Sequence, residues 1–242
     1  MTEADNFCCY DFAVPQCKGK FITIEGLDGC GKSTQLERLA QVLRADGLDV
    51  VATREPGGTP VGDKIRALLL DSGTAGLSPW AEIALMFAAR AQHLKDVILP
   101  ALEQNRIVLC DRFTDSTEAY QGGGRKLGSE AVLTLHRVLC GDIHPDLTIL
   151  MDSDVSASVA RARRRNQARA AEGTQYDENR FERESRAFFE RVRNAYLAIA
   201  QREPKRVIIV DARRLPSTVH EEIASIVRGR LSAPGQVNAL NL

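Results

Sequence analysis

The sequence carries no charge of either sign to spare. Lysine and arginine total 32, as do aspartate and glutamate, so the 242-residue chain has zero formal net charge. That balance excludes a general electrostatic attraction to nucleic acid or to anionic lipid, leaving only local clusters to act in that way. No Cys-x-x-Cys pair and no paired histidine spacing occurs around Cys8, Cys9, Cys17, Cys30, Cys110 and Cys140. This argues against a zinc site or a redox motif and fits thiols kept reduced in a cytosol. The first twenty residues carry acids early and have neither a basic start nor a long apolar run, unlike a signal peptide. No run approaches the length of a membrane span. The expectation is a soluble, cytoplasmic protein with no membrane and no nucleic-acid partner.

What is present is a set of short apolar runs rich in β-branched residues: FITIE (21–25), DVVATR (49–54), RIVLCD (106–111), LTILMD (147–152) and RVIIVD (206–211). They read as buried parallel strands. Helical patterns separate them, at 31–46, from Ser78 and Pro79 towards Leu102, and at 129–140, 155–169, 179–202 and 217–231. Ser78 followed by Pro79 supplies a cap and a first-turn proline. Strands alternating with helices predict an α/β fold, a five-stranded parallel sheet flanked by helices. With no internal repeat and no dividing linker, one domain is expected over 20–231. Residues 1–19 read as an N-terminal extension and 232–242 as a tail.

The stretch GLDGCGKST, Gly26 to Thr34, has the spacing of a phosphate-binding loop, and it follows a strand and opens a helix as that motif requires. Its backbone N–H groups, from Gly26, Leu27, Asp28, Gly29, Cys30 and Gly31 onwards, would wrap a nucleotide's phosphates. Lys32 would reach the outer phosphates and the Ser33 hydroxyl would ligate magnesium, with Thr34 next in line. Magnesium also needs a carboxylate at a neighbouring strand end. Strands end in Asp111, Asp152 and Asp211; Asp111 is favoured because Arg112 follows it, while the other two fit turn or capping roles.

The segment that receives the phosphoryl group is not set by this loop. No Asn-Lys-x-Asp segment for guanine is present, nor further signatures of hydrolytic motor or transport ATPases, which leaves a kinase of small molecules. Such an enzyme must keep water from the phosphates. RARRRNQAR, with Arg161, Arg163, Arg164, Arg165 and Arg169, offers mobile positive charge for that purpose, or else a solvated helix face. DRFTDSTEAYQGGGR, Asp111 to Arg125, gathers donors and acceptors suited to a planar polar ligand with a phosphate.

With these residues in view the chain resembles the thymidylate kinases over roughly 20–230. The likeness rests on FITIEGLDGCGKST, TREPGGTPVGDKIRALLL, AEIALMFAARAQHLKDVILPAL, DRFTDSTEAYQGGGR, GDIHPDLTILMD and RFERE. It implies a P-loop kinase fold, ATP and dTMP as substrates, magnesium as cofactor and a homodimer formed through helices beside the sheet. It places Asp28 near the acceptor sugar, Arg112 and Arg54 near the dTMP phosphate, and Arg90 at a thymine carbonyl. It also places Thr117 and Gln121 in the base-reading segment and Tyr120 against the sugar. An aromatic ring stacks on the base in many relatives; here Met86 occupies that position with Phe87 beside it, and Phe87 is the expected partner because a flat ring stacks better. Gly29 stands where some relatives carry a P-loop arginine, so Arg161 and Arg165 are expected to supply that charge from a lid at about 161–180. The competing readings are another nucleoside monophosphate kinase, for UMP, dGMP or AMP, and a P-loop switch or partitioning ATPase.

Overall fold

The structure, a computed structural model, describes residues 19–74, 76–171, 180, 181 and 183–232, apart from the side chains of 169–171. The expected extension and tail, with Cys8, Cys9 and Cys17, therefore lie outside the described residues save for positions 19 and 232. All five expected strands form: β1 (Lys20–Gly26), β2 (Val50–Arg54), β3 (Ile107–Asp111), β4 (Leu147–Asp152) and β5 (Val207–Asp211). They pair in parallel in the order β2-β3-β1-β4-β5.

Residue alternation along the strands divides the apolar side chains between two faces. Ile22, Ile24, Leu109, Ile149 and Met151 pack on one face against α1 (Lys32–Ala45) and α9 (Pro216–Ser232), through Leu36, Leu39, Leu43, Ile223 and Val227. Phe21, Val108 and Cys110 turn to the other face, under α3 (Pro79–His93), α4 (Leu99–Glu103) and α6 (Ser129–Cys140). Leu150 meets α8 (Arg186–Arg202) on that same side. Both faces are covered, which explains why the strands read as continuous apolar runs.

The helices begin where local chemistry allows. Ser78 caps α3, its hydroxyl accepting from Ala81 N, and a π-helical turn at Leu94–Ile98 carries the helix on into α4. Of the helices longer than two turns, α2 (Pro60–Leu70) was not expected; Thr59 accepts from Gly62 N and Pro60 opens its first turn. The cap and the proline were the available signal. The helix expected from Asn179 instead starts at Arg186, because Ser185 caps it by accepting from Phe188 N. After β3 the chain winds through α5 (Thr114–Thr117) and a π-helical turn, Glu118–Gly124, before α6, and α7 (Val155–Ala171) follows β4.

Ile149 lies in the middle strand ladder with no exposed surface. Ile149→Ala should lower unfolding free energy by about 2–5 kcal/mol, read as a shift of the denaturant midpoint at unchanged slope.

Candidate active site

The carboxyl ends of β1, β2 and β3 open into a cavity of about 500 Å3, the size of a small-molecule site. Of the expected residues, Asp28, Gly29, Gly31, Lys32, Ser33, Thr34, Arg54, Arg90, Asp111, Arg112, Thr117, Tyr120, Gln121, Arg161 and Arg165 all line it. Gly26, Leu27 and Cys30 belong to the loop but are not in the cavity lining; the Leu27 and Cys30 side chains are buried in separate apolar clusters. Asp152 and Asp211 are at strand ends but serve ion pairs, with Arg193 and Arg213 respectively.

The loop between β1 and α1 presents its charged side chains inward. Lys32 is almost fully buried; its Nζ donates to Leu27 O at 2.9 Å and lies 3.9 Å from Asp28 Oδ1. Ser33 Oγ donates to Asp111 Oδ2 at 2.7 Å, while Asp111 Oδ1 is buried without a partner among the described residues. A hydroxyl and a half-satisfied carboxylate side by side form an oxygen donor set that fits a hard cation such as magnesium.

Arg112 follows Asp111 at φ 75, a left-handed conformation costing a non-glycine residue about 1 kcal/mol or more. That turn aims its guanidinium back at the loop, where Nη2 donates to Asp28 Oδ1 at 2.7 Å and to the Tyr120 hydroxyl at 3.3 Å. Burial works to raise the Asp28 carboxyl, but the charges of Arg112 and Lys32 outweigh it and hold the group well below the usual carboxylate range. Burial and the nearby Asp28 charge push the Tyr120 phenol well up, so it remains a donor, and it meets Asp28 Oδ2 at 3.0 Å.

A second cluster lies deeper. Arg90, 2% exposed, sits between the rings of Phe87 and Phe113, at 4.8 and 5.0 Å from their centroids. Its Nε donates to Glu55 Oε2 at 2.7 Å and its Nη2 to Thr117 Oγ1 at 2.9 Å. Nη1 is buried with no hydrogen-bond partner among the described residues, an unmet donor on a residue that lines the cavity. Gln121 donates through Nε2 to Glu82 Oε1 at 2.7 Å, and Glu82 also pairs with Arg125 and Arg180.

The expectation for Phe87 is corrected here. Its ring is fully buried in the cluster with Ile83 and Val108 and does not line the cavity; Met86 does. The two positions stand about 100° apart on one helix, so α3 can present only one of them to the cavity, and the apolar core claims the ring. Phe87 supports Arg90 from the core side instead.

The arginine run of α7 divides in the same way. Arg161 and Arg165, one turn apart, face the cavity, whereas Arg163 and Arg164 line an outer groove with Phe189. Arg161 Nε donates to Gly29 O at 2.8 Å and Nη2 to Ser158 Oγ at 3.2 Å. Arg165 Nε donates to Asn166 Oδ1 at 3.2 Å. The side chain of Arg169 and residues 172–179 of the expected lid lie outside the described residues. Arg54 is largely exposed and reaches Asp63 at 3.4 Å.

Sequence reasoning missed Glu55, Arg66, Ser116, Asn166 and Phe181 in the lining and the buried supports Glu25, Glu82 and Tyr196. All but Tyr196 lie in segments the sequence analysis quotes, among them TREPGG for Glu55, DRFTDSTEAYQGGGR for Ser116, RARRRNQAR for Asn166 and RFERE for Phe181, but no role was read for them individually.

A phosphate-binding loop on β1, a carboxylate and an arginine at the tip of β3, and helical arginines above them define an α/β P-loop kinase for a small acceptor. The comparisons narrow the class. A family model described as thymidylate kinase matches residues 24–223. The chain is 48% identical over 214 residues to a thymidylate kinase of Trichlorobacter lovleyi, covering 88% of this chain and 99% of that one. It is 47% identical to a thymidylate kinase of Geobacter sulfurreducens, covering 88% and 98%. Among solved structures, a thymidylate kinase from Ehrlichia chaffeensis superposes with a TM-score of 0.67 at 32% identity, covering 86% and 98%. The chain belongs to the thymidylate kinase family.

Gly29 has a structural reason to lack a side chain. At φ 80, a Cβ there would stand 2.1 Å from Ser158 O and 2.9 Å from Ala162 N, so α7 is seated directly on the loop. Gly29→Ala should displace α7, break the Arg161 contact and cut turnover on the order of 100-fold, since misplacement by about 1 Å has that effect. Steady-state kcat on the folded variant checks this; unchanged kcat would show that the seating is dispensable.

Proposed function

We propose how this site divides the work of moving the γ-phosphoryl group of ATP to dTMP, giving dTDP and ADP. The observation that carries the reading is that two cationic side chains, Lys32 on the loop and Arg112 at the tip of β3, line one cavity. Lys32 and the loop amides of Gly26 to Thr34 take the ATP phosphates. Arg112, with Arg54 nearby, takes the dTMP phosphate. The acceptor oxygen is anionic at neutral pH, so transfer needs no strong base and depends on alignment and charge neutralisation.

Arg90, whose Nη1 is a buried donor without a partner among the described residues, donates to a thymine carbonyl in this reading, with Thr117 and Gln121 completing the polar edge and Met86 lying against the base. Asp28 stays ionised and accepts from the sugar 3′-hydroxyl, and Tyr120 beside it crowds the 2′ position. Arg161 and Arg165 approach from α7 and neutralise charge on the transferring group, taking the place of a side chain at Gly29. Ser33 and Asp111 would hold magnesium, which when bound neutralises phosphate charge and aligns the donor.

We take 20–231 as one catalytic domain, with a lid at about 161–180. The chain acts as a cytoplasmic homodimer in this reading. Val61 and Leu68 on α2, Trp80 on α3 and Val138 on α6 are exposed apolar side chains suited to a contact between copies. No described helix is long and apolar enough to cross a membrane.

ADP release measured with ATP, magnesium and a panel of nucleoside monophosphates tests the acceptor. Strong preference for dTMP is expected; equal rates with UMP or AMP would refute it, and slow hydrolysis without any acceptor would favour a switch ATPase. Lys32→Ala and Arg112→Ala should each lower kcat/KM by roughly 1,000-fold, and near-normal turnover of either folded variant would overturn the site assignment.

A further inference from the structure

Arg112 is held on two edges by different chemistry. Its Nη2 edge meets Asp28 and Tyr120 at the cavity wall, and its Nε has no partner among the described residues. Its Nη1 edge turns away, donating to Ser116 Oγ at 2.8 Å and to the Tyr196 hydroxyl at 3.0 Å. Those two hydroxyls stand 2.7 Å apart, and both reach the same buried oxygen, Glu25 Oε2, at 2.5 and 3.1 Å. The other oxygen of Glu25 accepts from Phe113 N at 2.7 Å.

The donor inventory limits how this cluster is wired. A guanidinium only donates, so both hydroxyls offer lone pairs to Arg112; the Ser116 hydrogen goes to Glu25 Oε2, and the one Tyr196 hydrogen is shared between Glu25 Oε2 and Ser116 Oγ. Two bonded hydroxyls thus join the buried Glu25 carboxyl to the inner edge of the arginine. Charge-assisted bonds of this kind are about twice as strong as neutral ones and are directional. Burial, with help from Asp115, works to raise the Glu25 carboxyl to about 7, against the opposing charge of Arg112 and the bonds from Ser116 and Phe113 N.

Tyr196 comes from α8 and does not line the cavity; its ring packs edge-on to Tyr120 with centroids 6.4 Å apart. Ring packing alone needs no hydroxyl, and a phenylalanine would serve it. The hydroxyl has a use only at Arg112 and its support.

We propose that Tyr196 is a positioning residue for the acceptor site: with Ser116, on Glu25, it clamps the Nη1 edge of Arg112 so that the Nε and Nη2 edge faces the acceptor's phosphate. This rests on the reading of Arg112 as the ligand of that phosphate. Asp28 then acts as the exchangeable partner, released from Nη2 when a phosphate arrives, while the Nη1 clamp stays closed. A nucleoside monophosphate binds an arginine whose orientation is already set.

Tyr196→Phe keeps the ring and removes only the hydroxyl. In the purified full chain it should raise KM for dTMP roughly tenfold, in line with loss of a bond to a charged group, and leave KM for ATP unchanged. In an Arg112→Met background, calorimetry should show that Tyr196→Phe changes dTMP affinity less than twofold, because the clamp has nothing left to hold. Unchanged KM for dTMP, an equal rise for both substrates, or a full effect persisting without Arg112 would each overturn the clamp. If Tyr196→Phe does not fold, Ser116→Ala removes the other hydroxyl and carries the same expectations. Failure of the unsubstituted chain to phosphorylate dTMP would instead refute the acceptor reading itself.

Discussion

The pairing of Arg112 with Asp28 ties the tip of β3 to the phosphate-binding loop on β1, and the arrangement of the cavity depends on it. The partners lie 84 residues apart in the chain and meet at 2.7 Å because β1 and β3 are hydrogen-bonded neighbours in the sheet. Without Arg112 the Asp28 carboxylate would keep its burial penalty and lose its main compensating charge. Without Asp28 the arginine would lean on its hydroxyl contacts alone. Each member favours the charged form of the other.

The same logic recurs around the cavity as two layers. Donors face the open space, and buried acids stand behind them: Glu25 behind Arg112 through two hydroxyls, Glu55 behind Arg90, and Glu82 behind Gln121. Buried ions are costly unless paired, so each acid both compensates a cation or amide and fixes its direction. Arg90 shows the effect most plainly, with two of its nitrogens committed to Glu55 and Thr117 and the third without a hydrogen-bond partner among the described residues. On the donor side, α7 presses so closely on Gly29 that a side chain there has no room, and the same helix delivers Arg161 to the Gly29 carbonyl.

The front layer was legible in the sequence and the back layer was not. Strands such as LTILMD declare themselves by β-branched apolar runs, and the loop from Gly26 to Thr34 by spacing plus context. Asp111 and Arg112 were readable because a strand end locates them. Glu25, Glu55 and Glu82 were not, since a carboxylate's partner is set by the sheet and not by its neighbours in the chain. α2 passed unnoticed although Thr59 and Pro60 mark its start, because it is short, carries Gly62 in its first turn and gathers its three leucines at its end. Met86 and Phe87 are both about one turn from Arg90, so spacing could not separate them; the demand of the core for the larger ring did.

The most direct measurement is a crystal structure of the chain with dTMP bound. The account predicts the dTMP phosphate within hydrogen-bonding distance of Arg112 Nε and Nη2, with Nη1 still on Ser116 and Tyr196, and the base against Met86 with a carbonyl at Arg90 Nη1. A phosphate seated elsewhere, with Arg112 still closed on Asp28, would contradict it.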